Sequence, residues 1–136
     1  MSGDNGDLGR VIRRMGDPSW WILAALDPVE ARPGIAILER VEENLRLSGY
    51  PQTELDPSTL HYALRRMRED ELVQEVGKRL VEVPGPRGST RMEERPVYKM
   101  TGLGARALKA RWQLEQRMCA EVGRLWGRMA EGAARL

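Results

Sequence analysis

The sequence has one cysteine and one histidine in 136 residues, and each scarcity excludes a class of chemistry. Cys119, standing alone, cannot build an intramolecular disulfide framework or a cysteine-based zinc site. His61, also alone, excludes a two-imidazole metal site within one chain and argues against a histidine-dependent hydrolase triad. No acidic partner is spaced to orient it as a general base. No apolar run approaches the ~20 residues that span a bilayer. Residues 1–16 are polar and rich in Gly and Asp, without the apolar segment of a secretory signal. The expectation is a cytoplasmic binding protein of one domain, not an enzyme, with no catalytic residue, metal site or cofactor.

Net charge is also small, +2, but it is unevenly placed. Residues 1–55 carry six basic and nine acidic groups, residues 56–100 nine and eight, and residues 101–136 seven and three. The basic excess therefore lies toward the C-terminus. Bulk charge alone permits nucleic-acid binding without requiring it.

What the chain does have is helical patterning interrupted by one β segment. The opening, 1–16, reads as a flexible tail. Asp17 is placed to cap a helix with Pro18 at its first position, and Trp20, Trp21, Ile22, Leu23 and Leu26 give that helix an almost all-round apolar surface. Such a surface needs cover on more than one side. Asp27-Pro28 is its stop signal. Ile37, Leu38, Val41 and Leu45 then recur at helical spacing over 35–47, ended by Ser48-Gly49-Tyr50-Pro51. A second Asp-Pro start, Asp56-Pro57, opens a helix to about Asp70 with Leu60, Ala63, Leu64 and Met67 inward.

After Glu71 the period changes. Residues 72–76 and 79–83 are rich in β-branched side chains, 84–90 form a turn cluster, and 96–100 read as a return strand. Thr101 is placed to cap a last helix in which Leu103, Ala107, Ala110, Leu114, Met118, Val122, Leu125 and Met129 repeat every three or four residues. A domain of about 85 residues has a radius of gyration near ~12 Å, while this helix runs roughly 45 Å at ~1.5 Å per residue. The small domain cannot cover that seam, so a second copy is expected on it. The fold class is mainly α with a small β-ribbon, a winged helix-turn-helix over 17–101 followed by a long dimerisation helix over 102–133.

On a wheel of ~100° per residue, Ser58, Tyr62, Arg65 and Arg66 of the third helix lie opposite Leu60, Leu64 and Met67, with Thr59 and His61 flanking them. Short hydroxyls near a helix start and guanidiniums one turn on suit a helix seated in a major groove. The bland alternative is a solvated face laced by Arg65, Arg66 and Arg68 with Glu69 and Asp70. At the ribbon tip, Arg87 and Arg91 suit phosphates or a minor groove, opposed by nearby Glu93 and Glu94. Cys119 reads as buried core or seam.

Three blocks, in unbroken order, resemble the PadR-like transcriptional regulators. Residues 33–40 (PGIAILER) resemble that family's second helix, 55–67 (LDPSTLHYALRRM) its recognition helix, and 97–104 (VYKMTGLG) the end of its wing and the opening of its last helix. Ile35 stands where the family usually has an aromatic, and His61-Tyr62 where it has Tyr-Pro. The resemblance implies a dimeric, sequence-specific DNA-binding regulator. It is expected to be a repressor that inserts the 57–69 helix into operator DNA and is released by a ligand or signal. It also implies a pocket for a small apolar aromatic effector near the dimer axis, lined by Trp20, Trp21, Trp112, Leu23 and Met118; the other reading is that the indoles simply fill the dimer interface, where they deliver large buried area. The alternative is a winged-helix protein–protein interaction module without DNA binding.

Overall fold

A computed structural model describes residues 8–10, 15–26 and 30–134. Among these residues the elements follow in order: α1 (Asp17–Ala25), β1 (Arg32–Pro33), α2 (Gly34–Leu47), α3 (Pro57–Glu69), β2 (Val73–Pro84), β3 (Thr90–Met100) and α4 (Gly102–Ala134). The architecture is mainly helical, with a three-stranded antiparallel sheet in the order β1-β3-β2.

The almost uniformly apolar α1 is the central helix, in contact with α2, α3 and α4. Ile22, Leu23, Ala25 and Leu26 are fully buried, which is the cover on several sides that such a helix demands. Its start differs from expectation. Gly16 is the N-cap and Asp17 already lies in the first turn, where a carboxylate favours the helix dipole without capping it. The stop signal Asp27-Pro28 lies outside the described residues, as does most of the 1–16 tail. The described parts of that tail are not free: Leu8–Arg10 is helical, Leu8 packs on the core, and Met15 is buried in it.

In α2 the buried residues are Ile37, Val41 and Leu45, one per turn. The helix closes with Gly49 at positive φ, Tyr50 N–H donating to the Leu45 carbonyl (3.0 Å) and Gly49 N–H to that of Arg46 (3.1 Å). This paired closure needs a left-handed residue, which glycine supplies without steric cost.

All four expected inward residues of α3, Leu60, Ala63, Leu64 and Met67, are buried. Asp56 caps the helix, its Oδ1 accepting from the Ser58 N–H and hydroxyl, both at 2.9 Å. These bonds hold the Asp56 carboxyl below its usual range. Because the folded value is depressed, the cap's contribution is complete above the ordinary aspartate range and is lost as pH falls through the folded value. Asp56→Ala is therefore expected to lower the thermal midpoint at neutral pH, and the gap to the parent should narrow only as the pH falls below the ordinary aspartate range. A pH series of thermal melts measures it. At the other end of α3, Glu71 at φ 62 takes the left-handed position, and Leu72 N–H donates back to Met67 (2.8 Å).

The ribbon is longer than its sequence shows. Pairing of β2 with β3 runs from Val73 opposite Met100 to Pro84 opposite Thr90, with one irregularity between Glu75 and Gly77. The expected return strand at 96–100 thus begins at Thr90, and the turn shrinks to 85–89. There Gly85 N–H donates to Ser89 O at 2.7 Å, and Arg87 sits at φ 59. The expected two-stranded ribbon also gains a third strand, because Arg32 and Pro33 pair with Tyr98 and Val97.

Thr101 ties the last helix to the rest. Its hydroxyl accepts from Gly104 N–H (3.0 Å) and donates to the Glu71 carbonyl (2.5 Å), while its own N–H donates to the Leu72 carbonyl (3.0 Å). The first turns of α4 pack through Leu103, Ala107 and Leu108 on the core. Beyond them, Leu114, Met118, Val122, Leu125, Trp126 and Met129 are all exposed. Cys119 is exposed too, so the buried-core reading of this residue is corrected: α4 has left the domain before reaching it.

Candidate nucleic-acid interface

The burial of one α3 face dictates what the other presents. Ser58, His61, Tyr62, Arg65 and Arg66 are exposed, with Tyr62 at 60%, and Thr59 is half-buried. Their roles differ. Ser58 already donates its hydroxyl proton to the Asp56 cap, leaving only acceptor capacity for an incoming group. Tyr62 and Arg66, one turn apart, share a side-chain hydrogen bond that holds the Arg66 guanidinium in its charged form, above its already high value. Arg65 has no partner among the described residues and points its cation outward from the middle of the helix.

Arg68, grouped with these by sequence, reaches Glu75 of β2 at 3.5 Å instead. It braces the helix against the wing. Of the expected lattice of Arg65, Arg66 and Arg68 with Glu69 and Asp70, Arg68 is thus diverted to the sheet, while Arg66 keeps the favourable field of Asp70 and Glu69.

At the wing, Arg87 stands at the exposed tip without a partner among the described residues. Arg91 lies 3.4 Å from Glu93, which also takes Arg95 at 3.0 Å. The carboxylate expected to oppose the cationic tip is held between two guanidiniums. Residues 91, 93 and 95 share one face of β3 because side chains alternate along a strand. Sequence reasoning missed Arg95, and this alternation is the signal that would have found it.

That face of the wing closes a cleft of about 400 Å³ against the starts of α2 and α3. Val81, Val83, Arg91, Arg95 and Tyr98 form one wall, and Ile35, Leu38, Leu60 and His61 the other. Burial, followed by the nearby Glu75 carboxylate, pushes the Tyr98 phenol up, so it stays protonated at neutral pH. A smaller cleft of about 240 Å³ separates the start of α1 from α3, touching Ser19, Thr59, Tyr62 and Arg66.

The five residues expected around an effector do not share a site in the single chain. Leu23 is fully buried and cannot line a ligand pocket, because α1 turns it into the core. Trp21 meets the Tyr50 ring edge-on at 5.6 Å, and Trp20 lies under the Arg111 guanidinium at 5.5 Å. Trp112 and Met118 are exposed on α4. Among the described residues, no group of three or more His, Cys, Asp or Glu side chains could hold a metal ion.

The whole arrangement has a counterpart among solved structures. A PadR family transcription regulator from hypervirulent Clostridium difficile R20291 superimposes with a TM-score of 0.56, over 82% of this chain and 98% of that one, at 22% identity. The fold is PadR-like. Neither a family model nor a curated protein matches the sequence. In PadR-like terms, α2 and α3 form the helix-turn-helix, β2 and β3 the wing, and α4 the long C-terminal helix.

Proposed function

We propose that this protein is a homodimeric, sequence-specific DNA-binding transcription regulator that seats α3 in the major groove and its wing tip against the backbone or minor groove. The observation that carries the reading is the outer face of α3. It presents Arg65, without a partner among the described residues, beside the linked Tyr62–Arg66 pair, on a PadR-like frame with a cationic wing tip at Arg87. Guanidiniums so placed reach guanine edges or phosphates. The apolar face of α4 supports the dimer, and two copies would set their recognition helices near the ~34 Å spacing of successive major grooves.

Within this reading the protein is cytoplasmic and represses by occupying its operator, until a ligand or signal releases it. A dimer would bring exposed Trp112 and Met118 close to the partner's α1, where Trp20 could complete an aromatic seat for a flat apolar effector. No helix among the described residues is long and apolar enough to cross a membrane. The competing interaction-module reading draws on Ser58 and Arg91, each already engaged by a carboxylate.

Selection of duplexes by the purified protein, followed by binding titrations, tests the assignment. Arg65→Ala and Tyr62→Ala are each expected to cost ~1–3 kcal/mol on the selected site and to relax one position of it. Arg87→Ala should instead weaken all duplexes alike and reduce the salt slope by about one. Equal affinity of the parent and all three variants would move the assignment to the interaction module. A reporter placed behind the selected site reads the sign of regulation.

A further inference from the structure

We propose that the cleft between the wing and the starts of α2 and α3 binds a small apolar monoanion, and that its occupant competes directly with DNA. The competition half rests on the DNA-binding reading; the binding half does not.

The volume, about 400 Å³, lies within the range of small-molecule sites, which pair mostly apolar walls with a few placed polar groups. Both features are present. Leu38, Leu60, Val81, Val83 and Tyr98 line the cleft. The polar groups converge from β3. Arg91 and Arg95 share one carboxylate, Glu93, so the trio keeps one positive charge. Arg79 stands opposite Arg95 in the ladder and adds to the field. The Arg95 Nε is buried and has no acceptor, a donor whose desolvation is uncompensated. A carboxylate or sulfonate oxygen would supply the missing acceptor and neutralise the surplus charge, while the apolar body of the ligand covers the valines and leucines. A neutral body would leave the charge unanswered.

His61 and Arg91 belong both to this cleft and to the surface assigned to DNA. A ligand seated there therefore removes DNA contacts without any change in dimer geometry. That mode differs from an effector acting near the dimer axis, which must prefer one spacing of the two wings over the other. For simple competition, a ligand at ten times its dissociation constant lowers the apparent DNA affinity about elevenfold.

The experiment uses the full chain, 2-naphthoate as probe and neutral 2-naphthamide as its shape-matched control. Titration followed by amide NMR should shift Ile35, Leu38, His61 and Val83. Naphthamide should bind at least tenfold more weakly, and so should naphthoate to Arg95→Gln, checked for folding by its own spectrum. Leu38→Trp, which fills the cleft, should abolish the shifts and serves where Arg95→Gln fails to fold. No shifts, shifts confined to Trp112–Met129 on α4, or equal binding of the charged and neutral probes would overturn the site. Naphthoate bound in the cleft with unchanged affinity for a selected duplex would overturn the competition. Failure to select any duplex overturns the regulator reading and with it the competition, leaving the anion site standing on the titration alone.

Discussion

Gly104→Ala is expected to destabilise the protein, against the sign that helix propensity gives. Alanine inside a helix ordinarily gains up to ~1 kcal/mol over glycine. At Gly104, however, a Cβ would lie 2.2 Å from the Leu72 carbonyl oxygen and 2.8 Å from Met100 Cγ. The nearer atom is backbone, and it is already engaged by the Thr101 N–H. Leu72 itself is buried, so the carbonyl has little room to swing away. Either α4 lifts from the α3–β2 junction or the junction distorts, and overpacking of this kind costs ~1–3 kcal/mol or more. A fall in thermal midpoint of roughly 5–10 °C follows for a domain of this size. Gly102→Ala is the matched control on the same turn. Its Cβ would meet only the Arg106 guanidinium tip at 3.9 Å, so it should leave stability unchanged or raise it. Thermal unfolding of the two variants side by side decides the matter, and parallel rises would show that α4 does not sit this tightly on Leu72. The contact also bears on function. With Thr101 and Gly104 clamped on 71–72, a tilt of α4 is passed to the end of α3 and the root of the wing.

The helices were legible because each carries a single inward stripe with punctuation at its ends. Asp56-Pro57 announces α3, and Leu60, Ala63, Leu64 and Met67 leave only one way to turn it. The wing was half legible. Its root, around Val73 and Val97, is β-branched and buried, but 90–95 is polar on both faces and is held as strand by pairing with 79–84, a non-local cause that no local pattern reports. β1 is two residues long and includes a proline, so periodicity has nothing to act on and Pro33 reads as a breaker. The left-handed turn at Glu71 carries no glycine to mark it.

The candidate site divides in the same way. The outer face of α3 follows from a helical wheel, and every side chain placed there is exposed or half-buried. The engagement of Ser58 by its own cap and the link between Tyr62 and Arg66 are short-range, and both could have been read from their spacing. The cleft could not, because it depends on which face of the wing turns toward α2. Aromatic composition misled in one respect. Leu23 was grouped with the tryptophans as a pocket wall, whereas the all-round apolar character of α1 required such a residue to be core.

The second large effect expected is on association. Leu114, Leu125, Met118, Met129 and Val122 fall within about 80° of one another on α4 at ~100° per residue, and each is between 39% and 56% exposed in the single chain. Trp126 and Trp112 widen that sector to roughly 160°, broader than the seam of a two-stranded coiled coil. Ala107 occupies the same azimuth as Leu125 and is fully buried against this chain's own domain. The face that upstream packs on its own core thus continues past it, which is the geometry a second copy would complete with both its α4 and its α1. The parent is expected to sediment as a dimer at micromolar concentration, with more than ~2,000 Å² buried in an obligate interface. Met118→Glu with Leu125→Glu should sediment as a monomer. Neither side chain contributes to the core, so the loss would be of association rather than of the fold. Each lost burial is worth ~1.5 kcal/mol or more and occurs twice across a two-fold axis, giving about 6 kcal/mol, or some four decades in dissociation constant. Specific DNA affinity should fall with it, because one recognition helix reads only half a site. An unshifted dimer in the double variant would mean that α4 is not the interface, and the exposed seam would then need a different occupant.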